Sequence, residues 1–203
     1  MNKNVFVKLI ALAFVGIFHT AEATTLSLKF PNNSNIYTTS VGSTFDAYIY
    51  ADGLPDFGGF DFYLTYSSTN LLAQSLTSAT VFGADTDASF ANSIAPGSIH
   101  FAEAIAADSL ATGGLNITGP TLLGTVKFKA LTVSPINTAY LINFSNPAIF
   151  TFDGTSVSGS TQGGNVKVSA LAAVPVPASI FLFVPGLLAV FGAISKSAGK
   201  ITA

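Results

Sequence analysis

In FDFYLTY, residues 60–66, Phe60, Phe62, Leu64 and Tyr66 take every second position, and Asp61, Tyr63 and Thr65 take the others. Successive side chains of an extended backbone point to opposite sides, so this stretch predicts a strand with one face buried and one wet. The same period recurs in FDAYIY, where Phe45, Ala47 and Ile49 alternate with Asp46, Tyr48 and Tyr50. In LLGTVKFKA, Leu122, Val126, Phe128 and Ala130 share one parity, and Thr125, Lys127 and Lys129 share the other. No stretch of residues 24–173 sustains a 3.6-residue period. TNLLAQSLTSA, residues 69–79, comes nearest, and its β-branched and serine content keeps it a strand or a single turn. DGLPDFGG, APGS, TGG and QGGN supply turn residues between these segments. Many short strands so punctuated predict an all-β sandwich or jelly roll.

What holds such a fold together must be burial, because the chain has no cysteine. That also excludes a disulfide scaffold, thiolate zinc sites and thiol catalysis. Only 9% of residues are charged and none is arginine, so no nucleic-acid surface is expected. A length of 203 residues suits one domain with appendages.

The appendages lie at the two ends. Residues 1–23 carry Lys3 and Lys8, the apolar stretch LIALAFVGIF, and then small residues at Ala21 and Ala23. A basic start, a short apolar middle and small residues at −3 and −1 describe a secretory signal peptide. Cleavage after Ala23 leaves Thr24 as the mature start. At the other end, residues 178–194 contain no charge over 17 positions. As a helix they span about 25 Å, slightly less than a bilayer's hydrocarbon core. Lys196 and Lys200 follow, so the positive-inside rule places the C-terminus in the cytoplasm and the preceding domain outside. A single C-terminal transmembrane helix is therefore expected after residues 24–173.

The final segment, residues 174–203, resembles the PEP-CTERM sorting signal of Gram-negative bacteria. The matching residues are Val174, Pro175, Val176, Pro177 and Ala178, then the apolar run, then Lys196 and Lys200. That resemblance implies processing by an exosortase, a membrane-embedded cysteine transpeptidase that cuts near the Pro-x-Pro motif. The protein would then stay in the membrane only transiently, before reaching the cell surface or extracellular matrix.

The central domain has a resemblance of its own. VGSTFDAYIYADGLPDFGGFDFYLTYSSTNLLAQSLTS, residues 41–78, looks like the first half of a cohesin domain. GSIHFAEAIA, GPTLLGTVKFKAL and the closing GGNVKVSA look like its second half. The resemblance implies a nine-stranded jelly-roll sandwich that binds a protein partner and has no catalytic site or cofactor. In cellulosomal cohesins the partner is a calcium-loaded dockerin, gripped by one sheet, to which the strand matching residues 61–65 belongs. The alternative function is a polysaccharide-binding module of an exopolysaccharide matrix.

Candidate site residues follow from the outward parities. Asp46, Tyr48 and Tyr50 are expected to lie beside Asp61, Tyr63 and Thr65 if their two strands pair. Tyrosine, with an apolar body and a polar tip, suits an interface or a sugar ring. The other reading is that these tyrosines cover strand backbone. Asp85 and Asp87 stand two apart in a loop, a spacing from which oxygens can reach one Ca²⁺ or simply form a solvated turn. His100, the sole histidine after residue 23, is expected to point away from Glu103, leaving no local acid–base pair. Glu103 shares parity with Ile99, Phe101 and Ile105, so either a bulge re-aims it or the face reverses at an edge strand.

Overall fold

A computed structural model describes residues 24–87, 89–90, 92–107 and 109–171. Residues 172–203 and 1–23 lie outside these, and with them the cleavage site at Ala21 and Ala23, the sorting motif and the apolar run. The chain divides after Ala170 into two compact units, and the strands belong to the first. Among the described residues no helix is long and apolar enough to cross a membrane.

The expected strands form and stack as two sheets. In chain order they are β1 (Thr25–Lys29), β2 (Ile36–Ser40), β3 (Thr44–Asp52), β4 (Leu54–Tyr66), β5 (Leu71–Ser78) and β6 (Ser93–Ala95). They continue with β7 (Ser98–Ala104), β8 (Leu115–Ile117), β9 (Thr121–Ala130), β10 (Tyr140–Thr151), β11 (Ser160–Gln162) and β12 (Gly164–Ser169). The first sheet has the order β11-β1-β3-β9-β5; the second has β2-β12-β10-β4-β7-β6, with β8 on the start of β4. The only described helix is a single 3-10 turn, Gly83–Asp85. The all-β sandwich is as expected, with short strands at the margins bringing the described total above nine.

Alternation explains the core. Phe60, Phe62 and Leu64 of β4 face Phe45, Ala47 and Ile49 of β3 and Val126, Phe128 and Ala130 of β9, all of them buried. Phe101 of β7 packs edge-on against Phe60 and Phe62, with ring centroids 4.8 and 5.7 Å apart. It also reaches the opposite sheet at Gly124, where a Cβ would sit 2.7 Å from its ring. That close approach is why the position carries no side chain. The nearest approach to a helical pattern, residues 69–79, is strand β5.

Two expectations need correction. Leu122 does not share the inward parity of Val126; the buried residue is Leu123. The β3–β9 register skips one residue between Gly124 and Leu122, and this bulge exchanges the two faces. DGLPDFGG, expected as a turn, is mostly strand. Only Gly53, with φ 67°, makes the turn, and β4 begins at Leu54. Asp56 takes φ 53° within it, and its carboxylate accepts the Gly114 N–H at 2.7 Å. Aspartate tolerates this left-handed region better than most residues, and the bond from Gly114, 58 positions along the chain, holds its side chain in place.

Candidate binding face

The six residues expected on one face lie on two. Asp46, Tyr48 and Tyr50 belong to β3 in the first sheet; Asp61, Tyr63 and Thr65 belong to β4 in the second. The strands do not pair. The chain turns at Gly53 and crosses to the other layer instead of folding back as a hairpin, so the core separates the two sets. Outward parity holds for both sets, because alternation is the same whichever sheet a strand joins.

On the second sheet the outer face carries a compact polar and aromatic group. Tyr63 of β4 stands directly opposite His100 of β7, and their rings stack at 4.6 Å with planes 17° apart. Diagonally across, His100 Nε2 lies 2.8 Å from Asp61 Oδ1. The pair is partly exposed, with side-chain accessibilities of 25% and 43% for His100 and Asp61. His100 thus does point away from Glu103, yet it has an acidic partner across the ladder. On the other flank of β4, the Thr65 hydroxyl donates to the Asn143 carbonyl of β10. Leu141 of β10 and Ile36 of β2 extend this surface as exposed aliphatic side chains. Next to Thr65 and Asn143 a shallow open depression of about 400 Å³ is lined in part by Tyr66, Tyr140 and Leu141. Aromatic stacking, aliphatic exposure and neighbouring polar side chains together make a surface suited to protein contact.

The first sheet's outer face is of a different kind. Lys127 of β9 pairs with Asp46 at 2.9 Å. Lys29 of β1 stands opposite Tyr48 and places its ammonium 5.5 Å above the Tyr50 ring. Lys29 thus lies over the Tyr50 ring, and a cation over an aromatic face is itself favourable. The arrangement fits tyrosines that cover strand backbone.

The loop acids are engaged by the protein. Asp85 Oδ1 accepts from the Ser109 hydroxyl at 2.6 Å, and Asp87 Oδ1 accepts from the Ser89 N–H at 2.8 Å. The Ser89 bonds hold the Asp87 carboxyl below the usual aspartate range. Among the described residues, no three His, Asp or Glu side chains come together as a metal site.

Glu103 follows neither expected route. The β4–β7 register runs unbroken from Gly59 to Thr65, so no bulge turns it outward, and its parity with Phe101 sends it into the core. It is 4% exposed, and its Oε2 has no hydrogen-bond partner. Burial pushes its carboxyl above the ordinary glutamate range, opposed by a hydrogen bond with Ser78.

The cohesin domain family matches residues 35–168 of this chain. Among solved structures, a non-cellulosomal cohesin from Archaeoglobus fulgidus is 17% identical. It covers 72% of this chain and 91% of its own, with a TM-score of 0.54. A type I cohesin–dockerin complex from Clostridium thermocellum is 13% identical, with 73% and 100% covered and a TM-score of 0.57. The cohesin module of a family 33 glycoside hydrolase from Clostridium perfringens is 16% identical, with 73% and 98% covered and a TM-score of 0.54. At these identities the likeness is one of fold. No curated protein sequence matches the chain. The family match, over more than half of its residues, places this chain in the cohesin domain family, whose members are non-catalytic binding modules.

Proposed function

We propose that this is an exported cohesin-domain protein whose second sheet binds a dockerin-bearing or dockerin-like surface protein. The observation that carries the reading is the outer face of β4, β7 and β10. There Tyr63 is held by stacking on His100, His100 is fixed by Asp61, and Leu141 stands exposed alongside. Pre-ordered side chains lose little freedom on binding, which favours affinity. Several solved cohesins of similar fold are complexes with dockerins, which supports the choice of partner.

Export and processing complete the proposal. Thr24, the expected mature start, is buried, and its carbonyl accepts the Ser160 N–H at 2.8 Å. Cleavage after Ala23 would therefore leave β1 whole. A residue before proline is biased towards extended backbone, the form a transpeptidase accepts, and this supports reading Pro175 and Pro177 as the processing motif. An exosortase would cut there and free the domain from its membrane helix.

The test is capture from the same bacterium's secreted proteins by the immobilised chain, alongside a glycan array. Recovery of one dockerin-like protein, lost when Tyr63→Ser and Leu141→Ser are combined, is the expected result. Glycan binding without protein capture would replace this reading with the exopolysaccharide one.

A further inference from the structure

The two ends of the sandwich differ sharply in charge. One end is built by residues 40–44, 67–71, 94–98, 130–140 and 168–170, where β4 runs into β5, β9 into β10, and β12 stops. None of these residues is Asp or Glu, and Lys129 and Lys167 lie one position inside it. The opposite end carries Asp52, Asp56, Asp85, Asp87 and Asp153. Thr25 pairs with Asp52 there, Asp56 accepts from Phe152, and the Asp85 and Asp87 backbones bond Ala106 and Ala104.

The uncharged end presents an apolar loop. Between β9 and β10, Leu131, Val133 and Ile136 are 40%, 48% and 90% exposed. The loop is held firmly. Ser134, at its middle, is buried; its N–H donates to the Val168 carbonyl at 2.9 Å, and its hydroxyl accepts the Val168 N–H at 3.1 Å. The Tyr140 hydroxyl donates to the Val133 carbonyl at 2.7 Å. The backbone is thus pinned while the apolar tips point outward, and it is pinned two residues before Ala170, where the chain leaves the sandwich. Beyond that point come the uncharged residues 178–194 and then Lys196 and Lys200. Isolated exposed apolar residues are ordinary, but a clustered group beside such an exit is not.

We propose that this end of the sandwich docks on the bilayer surface, the loop of residues 131–139 entering the headgroup region. The inference rests on the reading of residues 174–203 as a membrane segment. Apolar tips gain by leaving water at the acyl boundary. Lys129 and Lys167 are drawn to anionic lipid, and the carboxylates of the far end point away from it. Docked so, both outer faces stand clear of the membrane, with Tyr63 and His100 open to a partner before processing.

The full chain, reconstituted in vesicles of phosphatidylethanolamine and phosphatidylglycerol, tests this. Because the chain lacks cysteine, a polarity-sensitive fluorophore can be placed by Ile136→Cys or, at the far end, Asp153→Cys. The Ile136→Cys label should be blue-shifted and quenched at least threefold more by nitroxide lipid than the Asp153→Cys label. A label at Leu131→Cys should lose its shift when Val133→Asp and Ile136→Asp are added, with the circular dichroism spectrum unchanged. Equal quenching at the two ends in chains that float with vesicles overturns the docking and leaves the membrane segment standing. Failure to float overturns the membrane segment and the docking together. A shift that grows with protein density in the vesicle assigns the loop to a second copy and overturns the lipid proposal.

Discussion

Glu103 is one inward carboxyl in a face otherwise made of Ile99 and Phe101, and its charge is costly there because Oε2 has no partner. Its folded-state pKa is raised by burial. The stability it contributes is therefore fully present below the ordinary glutamate value and is lost as pH rises through the raised one. Asp87 and Asp153, held low by local hydrogen bonds, act in the opposite sense and lose their contribution in acid. Comparison with Glu103→Gln cancels those two. At neutral pH the Glu103→Gln chain should be more stable by about 1–3 kcal/mol, and the two should converge toward pH 4. Thermal melts across that range measure it, and a gap independent of pH would contradict the buried ionisable carboxyl. Parity in the sequence already put Glu103 among core positions; its unbroken register was not legible, because one strand's alternation does not reveal its neighbour's. The His100–Asp61 pair was hidden for the same reason. Thirty-nine positions separate its members, and only the β4–β7 register sets them diagonally.

Strand identity was the most legible feature of this chain, because a period of two over five or more residues has no other stable use. Bulges were not legible. Leu122 and Leu123 are chemically identical, so nothing in LLGTVKFKA tells which one the skip at Gly124 turns inward. Gly53 was visible as a turn residue, but the switch of sheet it makes was not. Both glycines are strained positions for any side chain. Gly124→Ala should destabilise by about 1–3 kcal/mol, since its Cβ would meet Phe101 of the opposite sheet at 2.7 Å and the Thr77 carbonyl at 2.9 Å. Gly53→Ala should cost about 1–2 kcal/mol through its positive φ alone. Phe60→Ala, which empties a wholly buried site, should cost more, about 3–5 kcal/mol. Urea unfolding of the three variants checks this order. A Gly124→Ala chain as stable as the parent would mean that the sheets approach less closely there.

For the whole molecule, the order of aromatic strands and turns carried the cohesin resemblance, and the family match agrees with it. Which sheet each strand joins decided the fate of the binding face, and that depends on crossovers between layers that leave no periodic trace. The ends of the chain speak through composition instead. Protein from the native host is expected to lack everything after roughly Pro177, and Pro175→Ala with Pro177→Ala should leave it full-length and membrane-bound. Intact-mass spectrometry of the surface fraction measures this, and retention of residues 180–203 on most molecules would mean a permanent anchor. The proposed binding face is tested by titrating the captured partner calorimetrically into two variants of the chain. Tyr63→Ser with Leu141→Ser alters the second sheet, and Tyr48→Ser with Tyr50→Ser alters the first; both pairs are at or near the surface, where substitutions cost little stability. The account predicts at least a tenfold loss of affinity for the second-sheet pair and less than twofold for the first-sheet pair, with both chains folded. Loss confined to the first-sheet pair would contradict it and move the site to the face of Asp46, Tyr48 and Tyr50.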